Sequence, residues 1–349
     1  MTYNRSRYAR RSIAFHERQN QQALVIDGSD YSALSVQEQS ELQSVRYFHV
    51  REPFHKRLAM AGSLIETPFV ILQGDDDFLL KSGLESCCNV LRHCPEASSV
   101  CGIPLFQRRL DNGKWHVFPW TSGTPPLDWD NASIFDSRPI DRLKRHFTPY
   151  CPTSMYGVMR KSAFAQISSS ASRLAIPNIY REEYLFESVL AIVGSIHVLP
   201  VVTWLKSNEN VSITERETDV GFFEFLTRAT SDGAMSEFVN LVFDTVHRIE
   251  PTIQVDREEL TDAFNKLVQS DSRQRQASPN YSNWKTSARR RLVSNRYFRA
   301  LGRTSRDVFR GTYSPNPWVR SGRSMVRRGI RSDLIELREI SRVLMDFHH

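Results

Sequence analysis

Three consecutive carboxylates, Asp75, Asp76 and Asp77, follow the run Pro68-Phe69-Val70-Ile71-Leu72-Gln73-Gly74. Adjacent carboxylates repel one another, so concentrating them at one point makes most physical sense where a divalent cation or bound hydroxyls offset the charge. The plainer alternative is an acidic turn that caps the following helix. A second acidic turn, Asp27-Gly28-Ser29-Asp30, closes the apolar stretch Ala23-Leu24-Val25-Ile26. Its composition is that of a tight turn, whatever else it does.

Both acidic groups need elements to carry them. The apolar, β-branched and aromatic runs that precede them read as short buried strands, with a third at Val45–Val50. Between these lie helix-like segments: Tyr8–Gln22, His55–Glu66 with apolar Leu58, Ala61, Leu64 and Ile65, and Leu84–Arg92. Strand and helix alternate, which predicts crossover connections, a mostly parallel sheet and acidic turns on one edge, where open α/β folds bind ligands. Further on, a strand is expected around Ser99–Phe106. Asp111-Asn112-Gly113 marks a hairpin into Trp115–Phe118. A strand at Ser154–Met159 runs into a helix start, Glu182–Ile192 is helical, and His197–Trp204 is a last strand. From about Asp219 the pattern turns helical, with Phe222, Phe225 and Leu226 in one stripe and Phe238, Leu241, Val242 and Val246 in another.

The chain has 349 residues, enough for one large or two modest domains, and a net charge of +7. That charge is unevenly spread: from Lys285 onward 16 Lys and Arg face 5 Asp and Glu, so the first 284 residues are net acidic. Such a tail suits anionic lipid headgroups or another polyanion, or forms solvated helix faces; specific nucleic-acid recognition is not expected. One stripe near the end, Leu334, Leu337, Ile340, Val343 and Leu344, is expected to pack on the chain's own domain. Ser270–Trp284 has the Ser, Gln and Asn content of a linker. The five cysteines, Cys87, Cys88, Cys94, Cys101 and Cys151, are odd in number and lack paired spacing. Disulfide framework and zinc site are therefore not expected, and the thiols suit a reducing cytoplasm. Val189–Leu205 holds His197 and Pro200 and is too broken for a membrane span. There is no secretory leader pattern, no phosphate-binding Gly loop and no internal repeat.

Several segments taken together resemble family-2-type inverting glycosyltransferases of the GT-A fold. Thr2-Tyr3-Asn4-Arg5 is similar to the Thr-x-Asn-Arg after that family's first strand, and Asp27-Gly28-Ser29 to its Asp-Gly-Ser. Gly74-Asp75-Asp76-Asp77-Phe78 resembles its Asp-x-Asp metal motif, and Ser154–Phe164, with Arg160-Lys161-Ser162-Ala163-Phe164, its acceptor-side strand and Arg-x-x-Ala-Phe. Glu182-Glu183, with Gly194 downstream, occupies the place of the acidic pair that supplies the base. The resemblance covers roughly residues 1–210.

That resemblance implies a GT-A-like α/β fold with a mostly parallel central sheet, lacking its first strand because the sequence starts at Met1-Thr2-Tyr3, plus a helical C-terminal region. Its division would be a transferase domain at 1–215, a helical extension at 216–270, a linker at 271–284 and a basic helical tail at 285–349. It implies a cytoplasmic enzyme, peripheral to the membrane if the tail contacts it, that moves a sugar from a nucleotide-diphosphate donor to a glycan, lipid-linked or other hydroxyl acceptor. Asp77, with Asp75, would hold Mg²⁺ or Mn²⁺; Asp75, Asp76, Asp27, Tyr3 and Arg5 would contact the nucleotide sugar. Glu183 would be the base, with Glu182 beside it and Glu187 a weaker choice one turn on. A sugar-nucleotide nucleotidyltransferase and a catalytically degenerate interaction protein with a membrane- or nucleic-acid-binding tail are the rival readings. His16 and His55 are expected to be structural or surface groups.

Overall fold

The computed structural model describes residues 1–109, 115–119, 133–148, 154–173, 179–207, 234–277, 340 and 343. The chain opens with α1 (Ser6–Arg18), β1 (Ala23–Asp27), α2 (Val36–Ser40), β2 (Val45–His49) and α3 (Phe54–Leu64). Next come β3 (Phe69–Val70), β4 (Phe78–Leu79), α4 (Lys81–His93), β5 (Ala97–Arg109) and β6 (Trp115–Pro119). Then follow α5 (Pro139–His146), β7 (Val158–Arg160), α6 (Lys161–Ala171), α7 (Ile179–Val193) and β8 (Ser195–Ser207). Two helices, α8 (Ala234–Ile249) and α9 (Arg257–Ala277), complete the described elements. The helix α9 runs through the first residues of the expected linker. Most of the expected tail, and the stripe at Phe222, lie outside the described residues.

The architecture is mixed α/β, and the expected mostly parallel sheet is corrected. β1 and β2 pair in parallel as a two-stranded sheet; the larger sheet has the order β3-β7-β5-β8-β4, with β6 added beside β5. Among its described strands only β5 and β8 run parallel, while β3–β7, β5–β7, β4–β8 and β5–β6 are antiparallel. An apolar run reports burial on both faces but not the direction of its partner. The expected strand before the Asp triplet is also shorter than its apolar run, because only Phe69 and Val70 find ladder partners, on β7.

The two sheets are joined where the chain starts. Thr2 bridges Asp27 in parallel, donating from its N–H to Ile26 O and accepting at its O from Gly28 N–H, while the Met1 amine lies 3.5 Å from Gln73 O. Beyond this contact a cavity of about 590 Å³ separates Leu24 and Val25 of β1 from Ile71, Leu72 and Gln73. A sheet continuous from β2 to β4 would hold one more strand there.

Helices α3, α6, α7, α8 and α9 pack on one another around Leu58, Phe164, Phe186, Val242 and Phe264, all essentially without solvent exposure. Cys87 and Leu91 of α4 cover the sheet at Val100 and Val158. Burying such side chains contributes about 1.5–3 kcal/mol each before the cost of ordering the chain. Ile340 and Val343 pack on Phe15, Phe78, Leu80 and Leu205, so this part of the C-terminal stripe does return to its own domain. Among the described residues no helix is long and apolar enough to cross a membrane. Val189–Leu205 is divided between α7 and β8 at Gly194, where a Cβ would stand 2.4 Å from Glu96 O.

Candidate functional site

Gly74 to Asp77 form a tight turn closed by Asp77 N–H donating to Gly74 O at 3.2 Å, with Asp75 and Asp76 at its corner. A side chain at Gly74 would come within 2.9 Å of an Asp77 carboxylate oxygen, which would then have to shift. The three acids then diverge in circumstance. Asp77 is buried and accepts from Ser207 N–H at 2.8 Å on Oδ1. Burial first, and the Asp76 charge second, push its carboxyl up to about 7. Asp75 is also raised by burial, against the opposing pull of Arg5 and of Thr2, whose hydroxyl donates to Asp75 Oδ2 at 2.7 Å.

Arg5 spans the corner, 2.7 Å from Asp75 and 2.6 Å from Asp76. Although burial works against it, those two carboxylates hold the guanidinium in its charged form more firmly than usual. The preceding residue explains its aim. Asn4 takes a positive φ of 52°, which Asn tolerates better than most residues, and is fixed by Ser29 and Asp30. The chain therefore turns sharply into α1 with Arg5 at its start.

Asp27 is fully buried and saturated: Ser29 N–H and Oγ donate to Oδ1, while Ala33 N–H and the Tyr47 hydroxyl donate to Oδ2. Burial alone would raise its carboxyl, but these donors outweigh it and lower it. The neighbouring Tyr3 is 57% exposed, with the Arg57 guanidinium 6.0 Å from its ring. Arg57 itself donates to Thr2 O at 2.6 Å and Glu52 O at 2.9 Å, tying α3 to the start of the chain.

At the start of α7 the two adjacent glutamates separate. Glu182 is 1% exposed; Oε1 lies 3.8 Å from His55 Nδ1, and Oε2 and that Nδ1 have no hydrogen-bond partner. Burial pushes Glu182 up to about 7 against the pull of Arg57, and burial lowers His55. Glu183 is half-buried. It acts on Tyr156, whose hydroxyl is pushed up by burial and then by the charges of Glu183, Asp77 and Glu187. Tyr156 stacks on Trp204 at 4.7 Å. The charges of Asp77 and Glu183, far apart in sequence, are thus both felt at one partly buried aromatic.

Glu187, one turn on, has no exposure and takes His146 Nε2 at 2.5 Å, Met155 N–H at 2.9 Å, and Ser154 through both N–H and Oγ. Its geometry is that of a structural clamp. His16 is likewise held inside, between Gln21 and Gln73 at 3.2 and 3.0 Å. Thr2 stands in the Thr2–Arg5 motif without a role read for it, and Arg57 and Tyr156 are contacts that the motifs do not signal. Tyr156 lies inside the Ser154–Phe164 segment, and only the fold brings it under the charge of Asp77.

The fit of these acids to a divalent cation is partial. Asp77 supplies a buried carboxylate with excess negative charge beside it, but both Asp75 oxygens are already engaged, and Arg5 occupies the corner that a cation would share.

No protein-family model and no curated protein matches the sequence. Among solved structures, a crystal structure of S. aureus TarS residues 1–349 is similar with a TM-score of 0.40 and 14% identity, over 78% of this chain and 90% of that one. A second S. aureus TarS structure gives 0.37 and 15% over 77% and 53%, so the chain spans about half of its length.

Proposed function

We propose that the chain transfers a sugar from a nucleotide-diphosphate donor to a glycan, lipid-linked or other hydroxyl acceptor, with inversion at the anomeric carbon. The observation that supports this most is that the charges of Asp77, from the β3–β4 turn, and of Glu183, from α7, both act on the Tyr156 hydroxyl. In this reading Asp77 is the donor-side acid and Glu183 the acceptor-side acid. In such a transfer the acceptor oxygen bonds to the anomeric carbon as the bond to the diphosphate oxygen breaks, and the hydroxyl proton passes to a carboxylate. Glu183 is the base in this reading because it is partly open to an acceptor. Glu182 is the alternative, since a carboxyl near 7 with a free oxygen is matched to proton transfer at neutral pH.

Arg5 would meet the diphosphate, exchanging Asp75 and Asp76 for phosphate oxygens. The exposed Tyr3 ring offers a face for the base, whereas Asp27 would accept from it only by releasing one of its four donors. Mg²⁺ or Mn²⁺ would be held by Asp77 with Asp75 once Arg5 has moved, and would neutralise the leaving diphosphate. The protein is read as cytoplasmic, with the basic tail free to contact an anionic membrane surface. One observation favours the degenerate reading instead: Arg5 neutralises its own acidic corner.

The test is thermal melting with UDP, GDP, CDP and TDP, each with and without Mn²⁺. A ligand of the folded state raises the midpoint. The diphosphate that stabilises then identifies the donor class for turnover assays. Asp77→Asn and Glu183→Gln are each expected to cut turnover by about 10²–10⁴-fold with the melting midpoint retained. Full activity in both variants would sink the transferase reading.

A further inference from the structure

On the opposite sheet edge from the Asp triplet, at the beginnings of β5 and β8, Cys94, Glu96 and His197 come together. Each offers one ligand atom, and the three atoms lie within 4.8 Å of one another. Among the described residues no other group of three His, Cys, Asp or Glu does this. We infer that this triad is a zinc site.

The backbone that carries the ligands is pinned on every side. Cys94 ends α4, donating from its N–H to Val90 O at 2.9 Å, and its own O accepts from Ala97 N–H at 3.0 Å. Arg160 crosses beneath this turn and donates to Leu91 O, Cys94 O and Ala97 O at 2.8, 2.9 and 3.2 Å. Ser195 N–H donates to Glu96 O at 2.9 Å, and Gly194 leaves no room for a side chain against that same oxygen. His197 follows two residues along β8, paired in parallel with Val100. Its ring is fixed by the edge contact of Phe135 at 4.8 Å and by Ser195 Oγ, 3.0 Å from Nε2. A polar partner on one imidazole nitrogen is how metal-binding histidines are oriented.

Chemistry selects the metal. A thiolate, a carboxylate and a neutral imidazole carry two negative charges, which balance a divalent cation. This mixture of soft and borderline ligands suits Zn²⁺ rather than Mg²⁺ or Mn²⁺. Ligand atoms around tetrahedral zinc lie roughly 3.3–3.8 Å apart, given bonds of about 2.0–2.3 Å. Closing from 4.8 Å asks for about 1 Å of movement, and the exposed Glu96 side chain has the rotamer freedom to supply it. Three protein ligands leave the fourth position to water. Paired-cysteine spacing could not reveal this site, because the histidine comes from a strand about a hundred residues later. Cys94 is unbridged, so the thiol is available.

The probe is Co²⁺ titrated into the whole chain under reducing conditions, then displaced with Zn²⁺. One equivalent should give a near-ultraviolet sulfur-to-cobalt charge-transfer band that zinc removes. Cys94→Ser should lose the band, His197→Gln should weaken Co²⁺ binding at least about tenfold, and Cys88→Ser should leave both unchanged. Because Glu96 is exposed, Glu96→Gln tests the site without risk to folding and should also weaken binding at least about tenfold. No band, a band kept by Cys94→Ser, or undiminished affinity in Glu96→Gln would overturn the assignment. Nucleotide binding and turnover play no part in this readout, so its failure leaves the transferase reading untouched, and the reverse holds.

Discussion

Two carboxylates on the same helix, Glu182 and Glu187, are almost equally hidden from solvent and opposite in every other respect. Glu187 takes four donors from α5 and from the segment before β7; Glu182 faces a histidine at 3.8 Å and leaves one oxygen unmatched. Burial sets the cost of a charge, and the donors around it decide whether that cost is met. Asp27 and Asp77 repeat the contrast on the sheet: the first is surrounded by donors and lowered, the second is raised to about 7 by burial and then by the acid beside it. Acids whose burial is outweighed by donors hold the fold, and the acids that burial leaves raised are the candidates for chemistry.

Breaking the clamp should have the largest effect. Glu187→Ala strands His146, Ser154 and Met155 N–H without their acceptor, and a loss of about 3–5 kcal/mol is expected from denaturant midpoints. A loss below about 1 kcal/mol would erase the distinction between the two glutamates.

Glu182→Gln should do the reverse, and with a definite pH signature. The folded-state value near 7 lies above the ordinary 4.5, so the unfolded chain loses the proton first. Stability is then full below about pH 4.5 and declines as pH rises toward 7. The amide variant escapes that decline and should gain on the wild type across this window, by roughly 3 kcal/mol at its upper end from about 1.36 kcal/mol per unit. Asp77 titrates in the same range in both proteins and cancels from the difference. Parallel stability curves from pH 4.5 to 7 would show that Glu182 is better matched than its contacts indicate.

The finest test is Ser154→Ala, which removes one donor and leaves Glu187 the others. About 1 kcal/mol should be lost, and the clamp should survive. A loss as large as that of Glu187→Ala would mean that the serine, rather than the set of donors, sustains the acid.

These distinctions explain what was legible in the sequence. Strands β1, β2 and β8 and helices α3, α4 and α7 stand close to where apolar runs and turn residues place them, because those signals are local. Pairing direction is not local: the run before Asp75 looks the same whether its neighbour runs parallel or antiparallel, and β7 turned out to be antiparallel to β3. Nor could the phase of α7 be read. Tyr184, Leu185, Phe186, Val189 and Leu190 are all buried, so no polar stripe tells which glutamate points inward. The Asp triplet was visible as a group, and the resemblance set Asp77 apart from its neighbours, but the contacts of Arg5 and Ser207 that distinguish the three come from distant parts of the chain.

The gap between the two sheets has a practical consequence. The Met1 amine is buried beside it, and burial holds that amine's proton less tightly than usual. Thr2 already runs parallel to β1, so residues joined ahead of Met1 would enter between Leu24 and Ile71 as backbone. Extended backbone entering this cavity would have to pair with its walls, because it would lie in the interior rather than on the surface.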